Sequence, residues 1–214
     1  MIARIKKFLH PYMALGSKYA EECLNGRRWG GNPLLIILDT SLTSTGFSYF
    51  NFVEPRVRKF QGTLSDELTL AKSVPLFQNK NWYCVSERCR GIVLSAIKNF
   101  SVNGDTLDEE FTRIKNWAIK ADPLKRADQF SATKGLGVFT IQYLRGQVGL
   151  DVAIPDRVIS DFLSKFLNKK FRNQIEVMQA VEEVASRMGI SKLEFVWSIW
   201  IYADTKFNTN VTRL

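Results

Sequence analysis

Apolar residues recur at every third or fourth position in several parts of the chain, which is the spacing of an amphipathic helix. One stripe lies between Asp105 and Asp122-Pro123 and consists of Leu107, Phe111, Ile114 and Ala118. A second ends at Gly189, a residue type common just beyond a helix C-terminus, and consists of Val177, Met178, Val181, Val184, Ala185 and Met188. The pattern predicts an all-α fold.

The segment 32–45 supports two interpretations. Asn32 can cap a helix, Pro33 suits the first helical turn, and the apolar run 34–38 then follows as a buried helix. The continuation 40–45 is rich in β-branched and hydroxyl residues, which favour a strand almost equally well. A strand pair within 34–60 is therefore the main expected departure from an all-helical fold.

Two glycines mark a tight turn in the second half of the chain. Gly135 and Gly137 separate predicted helices over 124–133 and 138–145, and a backbone without Cβ atoms can approach a phosphate closely. Asp156 opens another apolar stripe, which predicts a helix over 156–168. A carboxylate in that position can serve as a helix cap, as a catalyst, or as both.

The C-terminal part of the sequence is typical of a helix that packs into the core, and we place no functional site in it. Ser191-Lys192-Leu193-Glu194 has the pattern of a capping box and predicts the start of a last helix. Trp197, Trp200 and Tyr202 recur at helical spacing within it, and we assign them to the core.

The turn Gly135-Leu136-Gly137, the helix start Phe139-Thr140-Ile141 and Asp156 together resemble the signature of the helix-hairpin-helix DNA glycosylase superfamily. The resemblance is good over 124–167 and faint elsewhere. It implies an all-α fold in which residues 1–214 form two helical lobes, with the helix-hairpin-helix at 124–146 and both termini in one lobe. In that fold the hairpin and Asp156 face a central cleft.

The resemblance also implies an activity. Members that cut the DNA strand carry a nucleophilic lysine two residues after the second hairpin glycine, where this chain has Phe139. The resemblance therefore implies a monofunctional DNA N-glycosylase of base excision repair. It is closest to the branch that removes 3-methyladenine and other alkylated purines, whose cationic bases stack well on aromatic rings.

Residue roles follow from the same resemblance. Asp156 would be the catalytic carboxylate, and the DNA phosphate would be held at Lys134, Gly135, Gly137 and Phe139. The candidates for the base pocket are Phe139, Tyr143, Trp29 and Trp117, with Trp82 and Tyr83 as further available aromatics. Phe139 fits equally well as a filler of the seam between the hairpin helices. Thr40 and Ser41 would plug the gap that the flipped base leaves in the strand.

Composition supports this interpretation and excludes some cofactors. The chain of 214 residues has 30 Lys and Arg against 21 Asp and Glu, and this net charge of +9 favours a polyanionic partner, here double-stranded DNA with a damaged or mismatched base. The three cysteines, all at or before position 89, form no C-x-x-C pair, so we expect neither an iron–sulfur cluster nor a zinc site. The resemblance implies a sodium or potassium ion on the hairpin carbonyls near Gly135 and Gly137. Without a membrane-spanning run, we expect a monomer in the cytoplasm, associated with the nucleoid.

Two alternatives remain open at this point. A non-catalytic helix-hairpin-helix module would bind duplex DNA through the same turn. A glycosylase with lyase activity would need a displaced lysine, such as Lys134, to form a Schiff base.

Overall fold

The computed structural model describes residues 1–65, 68–78 and 84–211, with side chains to residue 205 in the last helix. Within these ranges the chain forms helices and no strand, so the predicted all-α class is confirmed. The α-helices are α1 (Ile2–Leu24), α2 (Pro33–Thr43), α3 (Glu54–Gln61), α4 (Val74–Gln78), α5 (Glu87–Phe100), α6 (Leu107–Lys120), α7 (Val138–Gln147), α8 (Arg157–Leu167), α9 (Gln174–Met188) and α10 (Lys192–Val211).

The chain divides into two compact units. The first consists of Met1–Asn25 and Asp151–Leu214, and the second of Gly26–Leu150. In the first unit α1 packs along α10. Gly16 makes this packing close, because a Cβ atom at this position would lie 2.3 Å from the Ser198 hydroxyl oxygen.

Helix boundaries in the first unit follow the local sequence signals. The Asn173 side chain caps α9 by accepting from the Glu176 N–H at 3.0 Å, and Gly189 ends that helix with a φ of 72°. The Ser191 hydroxyl accepts from the Glu194 N–H at 3.0 Å at the start of α10. The helices predicted at these places are confirmed.

In the second unit α2 is buried along its whole length, from Pro33 to Thr43. The Asn32 side chain caps it by accepting from the N–H groups of Leu34 and Leu35. The hydroxyl groups of Ser41 and Ser44 donate to carbonyls three residues earlier, at 2.8 Å and 2.6 Å, which is a helical arrangement. The strand interpretation of 34–60 is therefore wrong.

The helix predicted over 124–133 is also wrong, because this segment consists of successive turns. The Asp122 carboxylate accepts from the N–H of Leu124 at 2.9 Å, and Arg126 takes the left-handed conformation with φ 49°. The Asp128 carboxylate accepts from the N–H of Ser131 at 2.9 Å. These side-chain bonds to the backbone replace the helical ladder, so α7 is preceded by a turn-rich loop instead of a first hairpin helix.

Candidate functional site

Asp156 lies at the N-terminus of α8, where the apolar stripe predicts a helix start. Its Oδ1 accepts from the Ile159 N–H at 2.7 Å, which is the hydrogen bond of a helix cap. Its Oδ2 accepts from the indole Nε1 of Trp200 at 2.6 Å. The backbone N–H of Val158 is a third donor to this carboxylate, which leaves one lone pair for a further partner.

The surroundings of Asp156 are mostly apolar. The preceding residues 152–155 are buried, and Trp200 covers one carboxylate oxygen. Burial raises the pKa of the Asp156 carboxyl from 3.8 to about 6, although its N–H donors oppose that rise. At neutral pH the group is mainly an anion in a poorly hydrated place, where its field is stronger than in water.

The glycine turn precedes α7 in the second unit. Gly135 has a φ of 103°, Leu136 is buried, and Gly137 stands at the N-cap of α7. No side chain caps this end of the helix among the described residues. The first N–H groups of a helix have no acceptor within it, so this end can bind an anion.

Basic residues flank the turn. Lys134 is exposed beside it, and the exposed Arg88 donates from Nη2 to the carbonyl oxygen of Gly135 at 2.9 Å. This contact does not fit the sodium or potassium ion expected there, because a cation on the Gly135 carbonyl would meet the guanidinium charge. The carbonyl of Gly137 accepts from the Ile141 N–H at 3.0 Å as the first bond of α7.

Of the aromatic residues assigned to a base pocket, Phe139 alone is near the turn and partly exposed, with its ring centroid 6.2 Å from that of Tyr143. The rings of Trp29 and Tyr143 are buried. Trp117 packs on Phe130 and donates to Asp128 at 3.0 Å. Trp29, Tyr143 and Trp117 are therefore packing residues in this conformation, while Trp82 and Tyr83 lie outside the described residues.

Trp29 and Tyr143 instead belong to a buried polar cluster around Asp39, which the sequence did not indicate. Asp39 accepts from Trp29 Nε1 at 2.5 Å, Tyr143 Oη at 2.9 Å, Tyr49 Oη at 3.1 Å and Thr43 Oγ1 at 3.1 Å. The buried guanidinium of Arg28 donates to the hydroxyl of Tyr49. Four donors on two oxygens are the surroundings of an ionised carboxylate.

Charge balance holds this Asp39 cluster together. The pKa of Asp39 is raised by burial, and Arg28 and the hydroxyl and indole donors oppose that rise. Burial opposes the charged form of Arg28, but its electrostatic interactions with Tyr49 and Asp39 outweigh that effect and leave its pKa raised. The cluster joins the loop 26–32, α2 and α7 through one shared carboxylate.

The placement of Thr40 and Ser41 does not fit their predicted role as a plug. Both residues are fully buried in the middle of α2, and Ser41 contacts the sulfur of Cys89 at 3.1 Å. A residue that fills a gap in a DNA strand must reach solvent. In this conformation neither side chain can do so.

Two kinds of feature, a membrane-spanning helix and a metal-binding cluster, are absent from the described ranges. These ranges contain no helix long and apolar enough to cross a bilayer, and no group of three or more His, Cys, Asp and Glu placed to hold a metal. Searches against protein-family models, curated proteins and solved structures find nothing that matches this chain.

Proposed function

We propose that this protein is a monofunctional DNA N-glycosylase that flips a damaged base and hydrolyses its glycosidic bond. The observation that carries the proposal is Asp156, a carboxylate at a helix N-terminus with a raised pKa that accepts from backbone N–H groups and from the Trp200 indole. Perturbed carboxylates of this kind are concentrated at sites that do chemistry.

The chemistry of base release suits such a carboxylate. As the bond between C1′ and the base nitrogen breaks, its electron pair leaves with the base and C1′ gains positive charge. A poorly hydrated Asp156 anion stabilises that charge, and water then bonds to C1′ and gives up a proton to the carboxylate. An alkylated purine carries a positive charge before cleavage, so it leaves neutral and needs no acid.

The glycine turn supplies the second part of the proposal. The open N-terminus of α7 offers N–H groups to a DNA phosphate, and the exposed cations of Arg88 and Lys134 add sequence-independent attraction. The net charge of +9 acts in the same direction.

The test is a panel of duplexes that carry alkylated, deaminated, oxidised or mismatched bases, treated with hot alkali to reveal abasic sites. We expect abasic product on the alkylated-purine duplexes. Salt-sensitive duplex binding without product on any lesion would instead indicate a non-catalytic DNA-binding module. We expect no borohydride-trapped adduct, and trapping would indicate a lyase.

The two turn glycines make a matched pair of variants. Gly135→Ala places a Cβ 2.6 Å from Arg88 Cγ at a φ of 103°, so we expect a loss of folding stability of about 1 kcal/mol or more by urea unfolding. Gly137→Ala meets no atom within 4 Å and has an ordinary φ of −105°. We expect its stability to change by less than about 1 kcal/mol, while its affinity for duplex DNA falls because the methyl group obstructs the phosphate. Unchanged DNA affinity in Gly137→Ala would remove the turn from the interface.

A further inference from the structure

The turn that follows α2 presents an aromatic ring to solvent. Phe47 is 49% exposed, and it is the only aromatic residue among the large exposed apolar side chains of the described ranges. The residues on either side, Gly46 and Ser48, are exposed as well. A single exposed apolar residue is ordinary, so the way in which this ring is held decides its meaning.

The backbone holds Phe47 from both sides. On the N-terminal side the N–H of Gly46 donates to the Thr43 carbonyl at 3.2 Å, and Gly46 takes a φ of 82° that few other residues adopt. On the C-terminal side the Ser48 carbonyl accepts from the Phe52 N–H at 3.0 Å. A side chain on a turn fixed in this way loses little conformational freedom when it binds.

The ring of Phe47 packs against a second aromatic ring, that of Phe52. Its centroid lies 4.3 Å from that of Phe52 at an interplanar angle of 31°, and the guanidinium of Arg56 lies 4.9 Å from the Phe52 centroid. The helix that follows, α3, carries Arg56, Arg58 and Lys59 against the single acid Glu54. An exposed ring on an aromatic base, followed in the chain by a basic helix, has the composition of a surface that stacks on nucleic-acid bases.

We propose that Phe47 is the residue that inserts into duplex DNA and fills the gap in the base stack where one base is missing or turned out. This inference rests on the proposed DNA-binding function. It assigns the inserted residue, here called the wedge, to the turn 46–48 in place of the buried Thr40 and Ser41. Phenylalanine is among the apolar side chains that proteins insert between base steps. The positive charge of α3 complements the flanking phosphates.

The test compares two duplexes of one sequence, one intact and one with a tetrahydrofuran abasic analogue, by fluorescence anisotropy at fixed salt. We expect wild-type protein to bind the duplex with the abasic analogue more tightly than the intact duplex. Phe47→Ala should lower that preference by about tenfold, since one base–aromatic stack is lost. Phe47→Trp should keep the preference. Ile119→Ala, which truncates an apolar side chain that is 58% exposed on α6, should leave it unchanged.

The outcomes separate this inference from the proposed function. A wild-type protein without preference for the gap, or a Phe47→Ala variant that keeps it with an unchanged melting temperature, would overturn the wedge assignment even if abasic product forms. Loss of the preference in Phe47→Ala, with no abasic product from wild type on any lesion, would retain the wedge and reject the glycosylase.

Discussion

Replacing Asp156 by asparagine is expected to abolish base release while leaving the affinity for lesion-containing DNA unchanged. The amide oxygen of asparagine can still cap α8, although its NH₂ group then faces the Trp200 indole N–H. Asparagine carries no negative charge to stabilise the developing positive charge at C1′. Loss of one well-placed electrostatic group costs about 100-fold to 1,000-fold in rate. Single-turnover assays at saturating protein, with anisotropy for binding, measure the two effects separately.

Asp156→Asn should also alter how the free energy of unfolding depends on pH. The pKa of Asp156 is about 6 in the folded protein against an ordinary 3.8, so folding favours the neutral acid. The native state therefore binds more protons than the unfolded state between these values, and the free energy of unfolding falls as the pH rises through that window. Relative to Asp156→Asn, the wild-type protein should lose ~2 kcal/mol between pH 4 and pH 7.5.

Asp161 on the same helix provides the control for both measurements. It forms a long ion pair with Arg157 at 3.7 Å, and its side chain is 72% exposed. Asp161→Asn should leave base release intact and should show no comparable pH-dependent difference in unfolding. If Asp156→Asn retained wild-type turnover, or if the two variants behaved alike, Asp156 would be a helix cap and no more.

The pH profile of base release gives an independent measure of the same carboxyl. Because the anion is the active form, kcat/KM should fall about tenfold per pH unit below pH 6. A substrate without a titrating base in this range keeps the profile attributable to the protein. A plateau that extends to pH 5 would exclude Asp156 as the group that must be ionised.

The sequence predicts those parts of the fold that depend on neighbouring residues. The helices α6, α8 and α9 lie where apolar spacing and capping residues place them, and α7 begins directly after the glycine turn, as predicted. Asp156 at the start of α8 is the clearest example, because a carboxylate, a free helix end and an apolar stripe all occur within a dozen residues. Local signals of this kind agree with each other and with the structure.

The incorrect predictions of secondary structure at 124–133 and 40–45 have different physical causes. At 124–133 the side chains of Asp122 and Asp128 compete for backbone N–H groups, and apolar spacing carries no information about that competition. In 40–45 burial overrides strand propensity, and the hydroxyl groups of Ser41, Ser44 and Thr45 donate to carbonyls three residues earlier in the chain. Propensity alone cannot decide such cases.

The sequence also does not identify which side chains far apart in the chain contact each other. Trp200 binds Asp156 from 44 residues away, and Tyr143 binds Asp39 from 104 residues away. A buried tryptophan or tyrosine requires a polar partner, so the sequence predicts that such partners exist without saying which residues they are. The packing role assigned to Trp200 is thus incomplete, because its indole N–H also orients the candidate catalytic carboxylate.

Asp39→Asn is expected to give the largest loss of folding stability among the variants considered. An amide offers one acceptor oxygen where Asp39 offers two, so the hydroxyl groups of Tyr143 and Thr43 would have to turn and accept from its NH₂ group. The buried charge of Arg28 would also lose its counter-charge. Removing one of two opposite buried charges costs roughly 3–5 kcal/mol, which urea unfolding at pH 7.5 measures directly.

Graded variants test whether the Asp39 cluster acts through charge. Tyr143→Phe removes one of the four donors and keeps both charges, so we expect a loss of about 1 kcal/mol. Asp161→Asn again removes an exposed carboxylate and should change stability little. Since a buried ion pair is often replaced by apolar residues at small cost, the double variant Arg28→Met with Asp39→Leu should be more stable than Asp39→Asn. If the double variant were instead the least stable, packing of the loop 26–32 would outweigh charge balance in holding α2 and α7 together.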